Sequence, residues 1–222
     1  KAGAADVLEA LGVNINLTAE QAKEVLEKVG MVFLFAPLFH PATKQVAVVR
    51  KELKIRTVLN VLGPFLSPAS VTRQLIGVPN RTIAKKLIEV GKQLSYEHLL
   101  IVSSDDGMDE VSLSAATHVF ELKNDAVTEF EIDPTEYGFE IVSKKEIEGG
   151  SVEENAIFLK EILDGKKGAK RDIVILNSAV ALYVSGKVED IQDGIKLAED
   201  AIDSSAAKKI LENLIKETKK YA

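Results

Sequence analysis

The chain has 222 residues, of which 46% are hydrophobic and 28% charged, a balance that suits a folded globular protein and argues against a disordered or membrane chain. A net charge of −6 argues against a general nucleic-acid footprint, which would be basic, so no nucleic-acid partner is expected. Zero cysteines exclude disulfides, a thiolate nucleophile and thiolate zinc sites, which fits a reducing, cytoplasmic setting.

The chain opens on Lys1 rather than Met, in a stretch that already reads as a functional loop, so it is expected to be part of a longer protein. No signal peptide is visible and no apolar run reaches the ~18 residues a membrane span needs, so no membrane association is expected. Asp6 is predicted to cap a short helix, DVLEALG, that stops at Gly12. The next helical stretch, LTAEQAKEVLEKVG, has Thr18 as N-cap, Gln21 as its capping-box partner and Gly30 as its stop. Residues 32–36, VFLFA, are apolar throughout and predict a strand covered on both faces. A helix follows from about His40, with Pro41 at its first position, through ATKQVAVVRKEL. Gly63-Pro64 and Pro68 then break a second apolar piece.

RQLIGV (73–78) reads as a strand, TIAKKLIEVGKQL as a helix, and HLLIV as a second strand. VSLSAATHVFEL and AVTEFEI are predicted as antiparallel strands, and the remainder from Ser151 is mostly helical. The alternation predicts an α/β fold with a central mixed, largely parallel sheet and helices on both faces. Ligands of such sheets collect beyond the carboxyl ends of the strands.

Directly after HLLIV, four acids fall within six residues: Asp105, Asp106, Asp109 and Glu110. Taken alone, DDGMDE reads either as a solvated turn or as a cation site. Neighbouring residues of a regular strand point to opposite faces, so Asp109 and Glu110 can face one site only where the strand has ended. Gly107 permits that break. If 41–53 is one helix, Ala42, Val46, Val49 and Leu53 form its apolar stripe and Arg50 lies on the stripe's edge. A half-buried guanidinium there suits a carboxylate, or a plain border pairing with Glu52.

KAGAADVLEALGVNI, FLFAPLFHPATKQVAVVRKELKIRTVLNVLGP and GMDEVS, in that order, resemble the successive motifs of the anthranilate phosphoribosyltransferase family. The resemblance runs through essentially all of residues 1–222 and implies one glycosyl transferase α/β domain, of the class III type shared by nucleoside phosphorylases and phosphoribosyltransferases. It implies that about 40–68 forms a helical segment packing on a small N-terminal helical domain that is mostly absent from these residues. The implied reaction joins anthranilate to phosphoribosyl pyrophosphate with Mg²⁺, in a homodimer.

Carried over residue by residue, the resemblance gives Asp109 and Glu110 the Mg²⁺ and Arg50 the anthranilate carboxylate. His40 falls in the aromatic-acceptor region; on a continuous helix it would lie roughly 15 Å from Arg50, so the two would line a channel rather than grip one ring. Gly63 and Pro64 match a Gly-Pro turn beside the aromatic substrate, where a side-chain-free carbon lets a flat ring approach; an ordinary turn is the plainer reading. Gly3 and Ala4 belong to the loop over the phosphoribosyl donor.

The sequence departs from the family there. Ala2 and Ala4 stand where serines are usual, removing two hydroxyls worth on the order of 1 kcal/mol each, although backbone amides around Gly3 remain to serve a phosphate. Lys54 stands in place of a glycine and Ser67 in place of an asparagine. A Gly-Thr-Gly-Gly-Asp loop and a Lys-His-Gly-Asn segment are not in this chain, so residues 1–222 alone are expected to be inactive. A nucleoside phosphorylase of the same superfamily and a nucleic-acid-binding relative without activity are the rival readings.

Overall fold

A computed structural model of the chain describes residues 3–40 and 63–222. The helix expected over 41–53, with Arg50, and the Lys54 departure lie outside the described residues. In chain order the elements are helices α1 (Ala4–Ala10), α2 (Ala19–Val29) and α3 (Ala36–Phe39), then strand β1 (Arg73–Gly77), helix α4 (Arg81–Gly91), and strands β2 (His98–Ser104), β3 (Thr117–Lys123) and β4 (Ala126–Ile132). Helices α5 (Lys144–Ile147), α6 (Val152–Leu163), α7 (Ala169–Ser185), α8 (Ile191–Asp203) and α9 (Ala206–Thr218) complete the chain. Among the described residues, no helix is long and apolar enough to cross a membrane. The chain divides into two compact units, one of Lys1–Thr57, Gly149–Lys166 and Ala201–Ala222, the other of Val58–Glu148 and Lys167–Asp200.

The first unit is helical among its described residues. α2 starts and stops where the sequence predicts: Thr18 Oγ1 accepts from the Gln21 amide, Gln21 Oε1 accepts from the Thr18 amide at 2.9 Å, and Gly30 ends the helix at φ 81°. α1 begins two residues earlier than predicted, with Gly3 as N-cap, and Asp6 sits inside the first turn rather than at the cap. The strand expected at 32–36 is not formed. Among the described residues the run has no neighbouring strand; Val32 to Phe35 instead lie half-buried against the cluster of Val25, Val29 and Leu214, with the rings of Phe33 and Phe35 stacked at 6.4 Å. An unbroken apolar run reports burial, and only a hydrogen-bonding neighbour makes it a strand.

The second unit holds the sheet, ordered β1-β2-β3-β4. It is mixed, as expected, but less parallel than expected: β1 and β2 run parallel, whereas β2–β3 and β3–β4 are antiparallel. The β1–α4–β2 crossover makes the parallel pair. Asn80 caps α4 by accepting from the Ile83 amide at 3.0 Å, and Ala84, Leu87, Ile88 and Gly91 fall on one buried face. That face packs on Leu99, Ile101, Phe120 and Leu122. Side chains alternate along a strand, so His98, Leu100 and Val102 point the other way. There Tyr183 of α7 meets His98 and Glu121, which places helices on both faces of the sheet. Each fully buried Leu or Ile contributes about 2 kcal/mol, and all seven residues of β2 are buried. β3 and β4 are joined by Asn124-Asp125 at φ 52° and 61°, the two-residue turn that suits a twisted hairpin.

The strand predicted from Val111 starts only at Thr117. Residues 111–113 are buried without a ladder because other groups satisfy their backbone. The Ser112 amide donates to Thr117 Oγ1 at 3.1 Å and the Leu113 carbonyl accepts from Val142 at 3.1 Å.

Candidate functional site

The acidic stretch forms the connection from β2 to β3, beyond the carboxyl ends of the parallel strands β1 and β2. Its turn closes through Gly107, at φ 82°, whose amide donates to the Ser104 carbonyl at 2.9 Å. The Ser104 amide donates to Met108 at 3.1 Å and the Asp105 amide to Ala116 at 3.0 Å, so both flanks of the turn are tied.

The four acids separate by partner. Asp106 is neither solvated nor offered to a ligand: it accepts from Ser112 Oγ at 2.8 Å, from Ser114 Oγ, and from the Met108 amide at 3.0 Å. Burial pushes its pKa up, but these donors outweigh burial and hold it below the ordinary aspartate value. Asp105 pairs with His118 Nε2 at 2.8 Å, and His118 Nδ1 reaches Glu131 at 2.9 Å. Asp109 and Glu110 are exposed, and no described residue donates a hydrogen bond to either carboxylate. Crowding around the Glu110 carboxyl, together with the Asp109 charge, pushes the Glu110 pKa up.

Two adjacent carboxylates that repel each other and lack protein donors form a hard-oxygen set, and a divalent cation would relieve their repulsion. Among the described residues no group of three or more His, Cys, Asp or Glu side chains could hold a metal as a closed cage. That suits Mg²⁺, which takes one or two carboxylates, keeps several waters and shares the remainder with substrate phosphates. The residues present therefore fit the ion.

The remaining sequence-predicted residues fall in both units. In the second, Gly63 and Pro64 open a 3₁₀ turn, Gly63–Leu66. The Pro64 carbonyl accepts from Gln74 Nε2 at 2.8 Å, Gln74 Oε1 accepts from Tyr96 at 2.6 Å, and Phe65 packs edge-on against Tyr96. Among the described residues beyond its chain neighbours, no atom lies within 4 Å of where a Cβ on Gly63 would sit. In the first unit, His40 is the half-buried C-cap of α3, its amide donating to Ala36 at 2.9 Å. Ala4 is the exposed first residue of α1, and the Gly3 amide, expected to serve a phosphate, donates to Asp6 Oδ2 at 3.0 Å. A phosphate at Gly3 would have to displace Asp6.

Sequence reasoning left Asn177 unassigned. In the structure its carboxamide reaches across from α7 to Val111, the residue after Glu110, with Oδ1 accepting from the amide at 3.0 Å and Nδ2 donating to the carbonyl at 2.8 Å. Ser104 Oγ donates to the Glu110 carbonyl at 2.6 Å.

Comparison with known proteins gives a consistent picture. Residues 1–208 match the model of a family described as "Glycosyl transferase family, a/b domain". An anthranilate phosphoribosyltransferase of Dehalococcoides mccartyi is 49% identical over 216 residues, which make up 96% of this chain and 63% of that relative. A crystal structure of the anthranilate phosphoribosyltransferase of Thermus thermophilus superposes with a TM-score of 0.92 at 34% identity, covering 99% of this chain and 65% of that one. The Saccharomyces cerevisiae enzyme in complex with PRPP and Mg gives a TM-score of 0.91 at 29% identity, covering 98% and 63%. The chain thus spans a little under two thirds of the length of these relatives.

Proposed function

Because the chain belongs to the glycosyl transferase family through its a/b domain, we propose that the complete protein carrying it is an anthranilate phosphoribosyltransferase. It transfers the phosphoribosyl group of phosphoribosyl pyrophosphate to the amine of anthranilate, releasing pyrophosphate, as a cytoplasmic homodimer. The observation that carries this reading is the exposed Asp109–Glu110 pair, to which no described residue donates a hydrogen bond, held beyond the carboxyl ends of two parallel strands.

Bound Mg²⁺ would neutralise charge that builds on the departing pyrophosphate. Asp109 and Glu110 would hold that ion. Arg50 takes the anthranilate carboxylate through its planar guanidinium, which matches a carboxylate in two parallel hydrogen bonds. The Gly63-Pro64 turn presents bare backbone to the aromatic ring, and the family resemblance gives His40 a part in binding the same substrate. The Gly3-Ala4 loop lies over the donor, where alanines in place of hydroxyls weaken its grip. No covalent nucleophile is needed: the enzyme positions the amine against the ribose carbon and stabilises the charges that separate.

Loss of anthranilate fluorescence on adding phosphoribosyl pyrophosphate and Mg²⁺ to the complete protein tests the proposal. Phosphorolysis of a nucleoside, with anthranilate untouched, would instead make it a phosphorylase. Residues 1–222 alone are expected to give no turnover, and measurable turnover would show that the donor site is complete within them.

A further inference from the structure

We infer that Asn177 and Gly77 are positioning residues for the acidic pair, both acting on the backbone that carries Asp109 and Glu110. The inference rests on the proposed reading of that pair as the magnesium-holding carboxylates.

Asn177 spends its polar groups on this task. A carboxamide sets an acceptor beside a two-hydrogen donor. Asn177 aims the acceptor at the Val111 amide and one donor at the Val111 carbonyl, at 3.0 and 2.8 Å. The same Nδ2 also donates to the Ile173 carbonyl at 2.9 Å, one helical turn back, which fixes the side chain's rotamer. Two bonds to one residue set the direction of the chain there as well as its position. Val111 is 0% exposed, so water cannot replace either bond.

Gly77, the last residue of β1, is the second contact that confines this backbone. A Cβ placed on it would lie 1.6 Å from the Asp109 carbonyl oxygen and 2.6 Å from its carbon. Both atoms are backbone, which cannot swing aside as a side chain does. The need at Gly77 is for space rather than for an unusual conformation, since it is not among the glycines of positive φ. With Ser104 holding the Glu110 carbonyl, residues 109, 110 and 111 are each located through their main chain, while no described residue donates to the carboxylates of 109 and 110. That is the arrangement a preorganised ion site requires: fixed backbone and uncommitted ligands.

The test is binding of Mn²⁺, as a probe for Mg²⁺, to the complete enzyme in the presence of inorganic pyrophosphate, followed by water proton relaxation. The variants are Asn177→Ala, Asn177→Ser, Gly77→Ala and the double variant Asp109→Asn/Glu110→Gln. Leu176→Ala serves as a control that loses packing from the same helix while keeping the Asn177 carboxamide. Asn177→Ala and Gly77→Ala are expected to weaken pyrophosphate-dependent Mn²⁺ binding by about tenfold or more, the scale for residues that orient metal ligands. The midpoint of Mg²⁺ activation shifts in parallel and the KM for the aromatic acceptor stays within about twofold. Asn177→Ser, which can keep one bond, falls between and carries the test if the alanine variant does not fold. Mn²⁺ binding by either Asn177 variant within about twofold of wild type, or an equal loss in Leu176→Ala, overturns the inference. Undiminished binding by the double variant would overturn the reading of the acidic pair itself, and this inference with it.

Discussion

Strands β2 and β3 carry acids at both ends, and the two ends use them in opposite ways. Where β2 begins, Glu121 is buried and accepts from His98 Nε2 at 2.7 Å, Tyr183 Oη at 2.7 Å and Thr128 Oγ1 at 3.3 Å. Burial pushes the His98 pKa down and the Tyr183 pKa up, so both remain neutral donors to that carboxylate. Where β2 ends, Asp106 is treated the same way by two serines and an amide, yet Asp109 and Glu110, three and four residues on, receive no hydrogen bond from any described residue. Their neighbours' polar groups go to the main chain instead. An acid whose lone pairs are filled by protein donors is structure, and an acid on a pinned backbone with lone pairs unfilled is available to a cation.

The contrast breaks first at Glu121. Replacing it by Ala strands three donors and is expected to lower folding stability by about 3 kcal/mol in denaturant titrations, without moving the Mg²⁺ activation midpoint. A shifted midpoint would mean that the two ends are not separate devices. Next, Arg50→Ala is expected to raise the KM for anthranilate by roughly ten- to a hundredfold, the worth of a charge-assisted pair. It should leave the donor's KM and the Mg²⁺ requirement nearly unchanged, and equal effects on both substrates would remove Arg50 from the acceptor site.

Asp106→Asn is smaller, about 1 kcal/mol at neutral pH, because the amide turns a donor toward groups that themselves donate. The Asp106 pKa is depressed in the folded state, so its contribution is present above the unfolded value of 3.8 and is lost as pH falls through the folded value. The stability gap between wild type and variant should therefore close in that acid window. The smallest effect concerns Glu110. Asp109→Asn removes one of the two causes that raise its pKa, so NMR titration should show a downward shift that stops short of 4.5, because crowding remains.

Much of the frame was legible from local pattern. Thr18, Gln21 and Gly30 bound α2 through contacts within one turn of helix, and such contacts can be read from spacing. The turn that carries Asp109 and Glu110 was legible too, because Gly107 marks where the strand must end. The apolar stretch at 32–36 misled because continuous hydrophobicity fixes burial but not pairing. Asp106 misled because Ser112 and Ser114 return to it only through the fold of the loop. Asn177 was out of reach for the same reason at larger scale: 66 residues separate it from Val111, and nothing in LNSAVAL says which peptide its amide will meet. Local chemistry announces caps and turns, whereas groups that hold a site from a distance declare themselves only in three dimensions.

The most direct measurement is Mg²⁺ titration of the transferase reaction in the complete enzyme carrying Asp109→Asn/Glu110→Gln. Amides keep the size of both side chains and remove only their charge. The account predicts a rate loss of about 100-fold or more, with activation no longer saturating at wild-type Mg²⁺ concentrations. An unchanged rate and an unchanged Mg²⁺ requirement would contradict it.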